Sequence, residues 1–136
     1  MWCETLGMSD SIFTRIIKGE IPAHKVYEDD KVIAFLDIAP YTYGHTLIVT
    51  KEQIDHLWDL NDELYLYVMK IAKKVAQRQR EIIKPKRIGM LLEGFAVPHV
   101  HIHVFPMYSG IESTVENPVA KPSNEQLAEM AKKLAF

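Results

Sequence analysis

The sequence is poor in cysteine and contains no long apolar run. Cys3 is the one cysteine in 136 residues, so an intramolecular disulfide is impossible. No segment approaches the roughly 20 consecutive apolar residues that a membrane-spanning helix requires. Residues 1–7 lack the basic start and apolar run that are typical of a signal peptide. We therefore expect a cytoplasmic protein without a membrane segment, in which residues 1–10 are a disordered leader or reflect the choice of start site.

An excess of positive charge is also absent. The 16 Lys and Arg residues are outnumbered by 18 Asp and Glu residues, and the basic residues are spread along the chain. A protein that binds a nucleic-acid polymer usually carries a clustered basic surface, so we expect no nucleic-acid polymer as a partner of this protein. The apolar fraction of 48% is ordinary for a globular protein. The length suits one domain, which we place at residues 11–136, with an irregular arm over residues 111–122.

The hydrophobic pattern predicts an α+β fold. Short helices are expected after Ser11 and after Ser123, where Gln126 completes a capping-box pattern. Asn61 is a plausible N-cap for one long helix that Pro85 closes. Five strands are expected, at Val26–Tyr27, Val32–Asp37, His45–Thr50, Arg87–Leu92 and His99–Phe105. The short links between the first three strands favour antiparallel pairing.

The most informative segment holds three histidines at alternate positions between Pro98 and Pro106. Successive side chains of a strand point to opposite faces, so His99, His101 and His103 are expected on one face. Imidazole titrates near neutral pH, and crowding disfavours charging all three rings. A neutral and a protonated histidine together can supply a nucleophile and a general acid. The central His101 is the best placed nucleophile, with Nδ1–H held by a carbonyl or by another histidine and Nε2 free.

Three other interpretations of the histidines stay open, one of which is a solvent-exposed histidine stripe without function. Two histidines separated by one residue on a strand also suit a metal ion, although this segment contains no cysteine or acidic residue. A purely structural role would require a buried partner for each ring. We favour catalysis and expect no metal and no cofactor.

Residues 99–105 match the signature His-φ-His-φ-His-φ-φ, where φ is apolar, and thereby resemble the histidine-triad (HIT) family. The similarity extends over several further segments: Ile12–Pro22, Tyr27–Asp30, Ala34–Pro40 and Gly44–Leu47. The resemblance covers residues from about Ser11 to Pro106, and within the family the sequence is most similar to the Hint-like branch. The resemblance implies a HIT-like fold with a five-stranded antiparallel sheet, one long helix and one or two short helices. It also implies a homodimer.

The family's roles can be assigned to matching positions of this chain. The resemblance implies that His101 becomes nucleotidylated, that His103 contacts phosphate, that His99 orients the nucleophile and that His45 supports the cluster. It implies that Asp37 holds the ribose hydroxyls, since a carboxylate can accept from both. The expected apolar slot for the base comprises Ile12, Phe13, Ile16, Ile21, Phe35, Leu36 and Ile38, and the expected phosphate loop comprises Gly94, Phe95 and Ala96. Core packing of Phe13, Ile16 and Phe35, a turn role for Asp37 and a backbone contact for His45 are the simpler alternatives.

Two features depart from the family pattern. Many relatives carry Gln and Ser or Thr before the triad, where this chain has Gly94-Phe95-Ala96-Val97. Phosphate contact must then depend more on backbone N–H groups and on the histidines. Some bacterial relatives bind zinc through positions that are Ser11, Thr14 and Gln53 here, so that site is expected to be absent.

The resemblance implies a hydrolase or transferase acting at the α-phosphate of purine nucleoside 5′-phosphate derivatives such as phosphoramidates. A nucleotide-binding scaffold without turnover and a histidine-rich metalloprotein are the alternatives.

Overall fold

The computed structural model describes residues 9–114 and 121–136. Residues 1–8 of the predicted leader and residues 115–120 of the predicted arm lie outside the described residues. The helices are α1 (Ile12–Ile17), α2 (Asp62–Ile82) and α3 (Asn124–Leu134), and the strands are β1 (Lys25–Glu28), β2 (Val32–Leu36), β3 (Thr46–Thr50), β4 (Arg87–Leu91) and β5 (His101–Met107). Short 3-10 turns lie at Leu57–Asp59 and Glu112–Thr114.

The five strands form one antiparallel sheet in the order β1-β2-β3-β5-β4. This architecture confirms the predicted α+β class and the predicted sheet. The crossover is carried by α2, which connects β3 to β4, and β5 then returns between them. The inner strands β2 and β3 are buried along their whole length, which explains why they consist mainly of apolar residues on both faces.

The sheet is covered on both faces. On one face, α2 and α3 pack against alternate strand residues, including Ala34, Ile48 and Ile102. On the other face, Phe13 and Ile16 of α1 pack against Ile33 and Phe35 of β2 and their neighbours in β3. This second, smaller layer lies on the face that carries His101 and His103, since His101 pairs with Val49 and His103 with Leu47.

Side-chain caps explain where the helices begin. The Asn61 side chain accepts from the Leu64 N–H at 2.8 Å, and Ser123 forms a full capping box with Gln126. Both predicted N-caps are therefore confirmed. Within residues 9–114 and 121–136, no helix is long and apolar enough to cross a membrane.

The last strand differs from its prediction at both ends, because it covers His101–Met107 rather than His99–Phe105. Its ladder with β3 ends at the pair Val49–His101. Before that pair, the Val100 N–H donates to the Ile54 carbonyl and the His99 N–H donates to the Val97 carbonyl, so His99 lies in a bend. At the other end Pro106 stays within the strand, opposite Ile88 of β4.

Candidate active site

His101 is buried at the start of β5, and the backbone fixes its hydrogen position. Its Nδ1 lies 2.6 Å from the carbonyl oxygen of His99. A carbonyl can only accept, so Nδ1 carries the hydrogen. In the neutral ring Nε2 then has a free lone pair, which is the form that a nucleophile requires. The Phe13 and His101 rings are in a T-shaped contact with their centroids 4.9 Å apart.

His99 is fully buried beside the N-terminus of α1 and is held at both ring nitrogens. Its Nε2 donates to the Thr50 carbonyl at 2.7 Å, so its Nδ1 has a lone pair in the neutral ring. The Ser11 hydroxyl lies 2.6 Å from that Nδ1 and donates to it. Burial lowers the pKa of His99, and the neighbouring His101 adds to the effect, while the bond to Thr50 opposes it. The structure thus places His99 where its carbonyl meets His101.

His45 and His103 form a second directed pair. The Tyr41 N–H donates to His45 Nδ1 at 3.0 Å, so the hydrogen of neutral His45 is on Nε2. That Nε2 donates to His103 Nδ1 at 2.9 Å, which leaves the hydrogen of neutral His103 on its own Nε2. The rings of His101 and His103 are 5.2 Å apart between centroids. The site therefore presents a lone pair on His101 next to an N–H donor on His103.

Both supporting histidines are neutral at physiological pH. Burial lowers the pKa of His45 to about 3, with a contribution from His103. Burial also lowers the pKa of His103 to about 4, with a contribution from His101. The directed hydrogen bonds described above require these neutral forms. Tyr41 covers the pair, with its ring centroid 4.6 Å from that of His45.

Asp37 follows β2 and lies on the rim of the histidine cluster. Its Oδ1 accepts from the Ala39 N–H at 2.9 Å, and its Oδ2 lies 3.7 Å from His45 Nε2. Desolvation raises the pKa of this carboxyl, while the Ala39 N–H and the nearby His101 act in the opposite direction. Asp37 therefore both accepts a hydrogen bond within its turn and lies close to the histidines.

Three of these residues, Asp37, His45 and His103, bring potential metal ligands within 4.8 Å of one another. The hydrogen-bond pattern opposes that use. His45 Nε2 could bind a metal only after losing its hydrogen. If that hydrogen moved to Nδ1, the Tyr41 N–H would lose its acceptor, and if it left the ring, the ring would become an anion.

The predicted apolar slot is divided by the sheet. Phe13, Ile16 and Phe35 form one buried cluster, against which Ile21 packs. Leu36 does not belong to it, because alternation along β2 turns its side chain to the opposite face, into the core beneath α2 and α3. The assignment of Leu36 to the slot is therefore wrong. Ile12 and Ile38 have exposed fractions of 48% and 58%, so they offer apolar surface to a ligand.

Comparisons with known proteins agree with this geometry. Residues 18–110 match the model of the HIT domain. The chain belongs to the HIT family. An uncharacterized HIT-like protein of Borreliella burgdorferi is 40% identical over 108 residues, which cover 74% of this chain and 78% of that protein. The adenosine 5′-monophosphoramidase of Schizosaccharomyces pombe is 36% identical over 100 residues, covering 70% and 72% of the two chains.

A solved HIT structure shows the same fold. The crystal structure of a HIT-like protein involved in cell-cycle regulation from Bartonella henselae superposes with a TM-score of 0.82 and 35% identity. The match covers 92% of this chain and 93% of the other.

The loop before the triad of this HIT protein offers a ligand its backbone and one aromatic ring. Gly94 has a φ of +74°, which suits glycine. The Phe95 side chain is 92% exposed, and Ala96 is exposed beside it. The positions predicted to meet phosphate are thus accessible, and their side chains carry no hydrogen-bond donor.

Besides Tyr41, sequence reasoning missed two further residues that position the histidine site of this HIT protein. Gln79 is fully buried in α2, and its Nε2 donates to the carbonyls of Gly44 and Val104 at 2.9 and 3.0 Å. The available signal for Gln79 was its position, because this polar residue continues the four-residue spacing of the apolar Ile71 and Val75. The other is Gly44, with a φ of +100°, where an added Cβ would lie 2.5 Å from a side-chain carbon of Ile83.

Proposed function

We propose that this HIT protein is a hydrolase or transferase that acts on the α-phosphate of nucleoside 5′-phosphate derivatives through a nucleotidyl-His101 intermediate. The observation that carries the proposal is the bond from His101 Nδ1–H to the His99 carbonyl. It directs the lone pair of Nε2 away from the backbone and leaves it available for attack. Purine phosphoramidates are the proposed substrates, in line with the name of the Schizosaccharomyces pombe relative.

The reaction consists of two displacements at phosphorus. In the first, His101 Nε2 attacks the α-phosphorus, the P–N bond of the phosphoramidate breaks, and the departing amine takes a proton from water. The nucleotidylated ring is then cationic, and its Nδ1–H remains bound to the His99 carbonyl, which stabilises that charge. In the second, water attacks the same phosphorus, neutral His101 leaves, and the water proton passes to solvent. His103 supplies an N–H donor for a phosphoryl oxygen.

The nucleoside part of the substrate is assigned to neighbouring surfaces. We propose that Asp37 accepts from the ribose hydroxyls, and that the purine lies against the apolar surface near Ile12, Phe13 and Ile38. Two of these three aliphatic and aromatic side chains are exposed. Backbone N–H groups of residues 94–96 and the two triad histidines are the proposed phosphate contacts.

Intact-protein mass spectrometry after brief exposure to adenosine 5′-phosphoramidate tests the proposal, with wild type compared with His101→Ala. We expect an adenylyl adduct or AMP release in the wild type and neither in the variant. His56→Ala is the matched control, because His56 is exposed and outside the site. AMP release that persists in His101→Ala would refute the covalent mechanism.

A nucleotide-binding protein without turnover is the second candidate. One observation favours it, namely that the exposed Phe95 and Ala96 give the phosphate loop no polar side chain. Saturable AMP binding by wild type, combined with no adduct and no AMP release, would select this candidate over the enzyme.

We also propose that the protein is a homodimer that forms through the outer edge of β4. The other edge strand, β1, is partly covered, since the Phe136 N–H donates to the Val26 carbonyl. Exposed apolar side chains lie on β4 and on α2, with Met90 at 50% and Leu66 at 65% exposure, and an open edge favours pairing with a second strand. Light scattering should give a dimer for wild type and a monomer for Met90→Lys; a monomeric wild type would refute the proposal. Cytoplasm remains the proposed compartment.

A further inference from the structure

We infer that the Tyr41 ring is a positioning element of the histidine site: it excludes water from the hydrogen bond between His45 and His103 and thereby keeps the His103 N–H available to the substrate. The inference deepens the proposed function and rests on it for its kinetic consequence. Its structural part, the protection of one imidazole hydrogen from water, can be measured without any substrate.

The first step is the place of the Tyr41 ring. Tyr41 belongs to the loop between β2 and β3, and its ring centroid is 4.6 Å from that of His45 and 6.0 Å from that of His103. The rings of Tyr41 and His103 are stacked, with 23° between their planes. His45 is 1% exposed, whereas Tyr41 is partly exposed. The tyrosine ring therefore lies between the two imidazoles and solvent.

The second step is that contacts on several sides hold this ring in place. The Tyr41 and Phe105 rings are in a T-shaped contact with their centroids 5.0 Å apart. The Tyr41 N–H donates to His45 Nδ1, and the hydroxyl of the next residue, Thr42, donates to the Pro106 carbonyl of β5 at 2.7 Å. The backbone at Tyr41 is therefore connected both to His45 and to β5, which keeps its ring over the pair.

The third step is that the bond beneath the ring depends on water being absent. In the part of the chain that the structure describes, the His103 ring has one hydrogen-bond partner, the Nε2–H of His45 at 2.9 Å. Water at this bond could accept a hydrogen from His103 Nδ1, which corresponds to the tautomer with a lone pair on Nε2. That tautomer has no N–H for a phosphoryl oxygen. Burial is the main cause of the low pKa of both histidines, in agreement with a bond from which water is excluded.

The fourth step concerns the importance of this donor for the proposed reaction. The side chains of the proposed phosphate loop, Gly94 to Ala96, carry no hydrogen-bond donor, so they cannot replace the N–H of His103. Fixed donors act mainly on the oxygens whose charge develops in the transition state. We therefore expect the Tyr41 ring to affect turnover more than substrate affinity.

The experiment compares wild type, Tyr41→Phe and Tyr41→Ala, all of which keep the backbone N–H that orients His45. NMR measures the exchange of the His45 Nε2 hydrogen with water, and kcat and KM are measured with adenosine 5′-phosphoramidate. In Tyr41→Ala, we expect exchange to become about tenfold faster and kcat to fall about tenfold, the equivalent of one lost hydrogen bond, with little change in KM. Tyr41→Phe keeps the ring and should match wild type in both measurements.

Two controls separate loss of the ring from general loosening. The Nδ1 hydrogen of His101 is the internal control, because the His99 carbonyl holds it. Tyr108→Ala is the matched control for the loss of a tyrosine, since Tyr108 lies past the end of β5 and is 53% exposed. If Tyr41→Ala does not fold, Tyr41→Leu takes its place, because leucine keeps apolar packing but lacks the flat ring that covers both imidazoles.

Unchanged exchange of the His45 hydrogen in Tyr41→Ala would overturn the inference. A Tyr41→Phe protein that behaves like Tyr41→Ala would also overturn it, because the hydroxyl and not the ring would then be responsible. Equally faster exchange at His101 would do the same, since it would indicate general loosening. A wild type without turnover would refute the proposed function instead, and the NMR exchange would then decide the role of the ring.

Discussion

Replacing Gln79 with methionine tests whether one buried amide holds the loop that carries His45. The Gln79 side chain has no exposed surface, and its Nε2 bridges from α2 to the carbonyls of Gly44 and Val104. Gly44 directly precedes His45 in the sequence. Methionine has nearly the same length and volume but no donor, so the variant removes the bonds and creates little empty space.

The expected destabilisation can be worked out from these contacts. Two amide–carbonyl hydrogen bonds disappear, and each contributes about 1 kcal/mol net. The Gly44 carbonyl keeps the Thr46 hydroxyl as a second partner at 2.8 Å, which limits the penalty for an unsatisfied acceptor. The buried Gln79 Oε1 has no hydrogen-bond partner among the described residues, and its removal offsets part of this loss, so we expect the free energy of unfolding to fall by about 1 kcal/mol. For a domain of this size that is a decrease in Tm of roughly 3–5 °C.

Urea denaturation and phosphoramidase kinetics together measure the effect. Gln77→Met is the matched control, because Gln77 lies on the same helix and is exposed. We expect kcat to fall in Gln79→Met alone, since movement of Gly44 would displace His45 from His103. A Gln79→Met protein with the stability and kcat of wild type would refute the reasoning that this amide organises the loop.

Two further predictions concern pH and ribose. Burial lowers the pKa of His45 to about 3 and that of His103 to about 4, whereas an unfolded histidine titrates near 6.5. Below about pH 6.5 the unfolded chain therefore binds more protons than the folded chain, so the free energy of unfolding should decrease as pH falls from about 6.5 towards 4. Urea melts across this range should show a weaker decrease for His45→Asn, and a stability independent of pH in wild type would contradict the assignment. Asp37→Asn should raise KM for adenosine 5′-phosphoramidate about tenfold, the effect of losing a charged hydrogen-bond acceptor. It should also abolish any preference over the 2′,3′-dideoxy substrate; an unchanged preference would exclude Asp37 from ribose binding.

The sequence could predict those parts of the fold that depend on local pattern. The caps at Asn61 and Ser123, the long amphipathic helix and the five strands follow from short-range chemistry that tertiary contacts do not override. The start of β5 could not be predicted, because alternation alone does not show where the β3 ladder ends. Leu36 was misassigned for a related reason, since membership of a motif does not reveal which face a strand residue occupies.

The site shows the same division between residue type and direction. The histidine spacing predicted that His101 and His103 would share a face, and that a carbonyl or another histidine would hold the nucleophile. It could not select the His99 carbonyl, because that contact depends on His99 lying in a bend outside the strand. Gln79 and Tyr41 were missed because each acts through a backbone group: one binds the Gly44 carbonyl, and the other offers its own N–H to His45.

The two outer histidines of the triad differ in what they contribute, although the motif treats them alike. Hydrogen bonding ends at backbone acceptors on the His99 side, where Thr50 accepts from His99 and the His99 carbonyl accepts from His101. It begins at a backbone donor on the other side, where the Tyr41 N–H leads through His45 to His103. Opposite backbone partners therefore leave His101 with a lone pair and His103 with a hydrogen. Because displacement at a phosphate ester needs both an attacking pair and a donor for its oxygens, this asymmetry would let three identical side chains divide the proposed reaction between them.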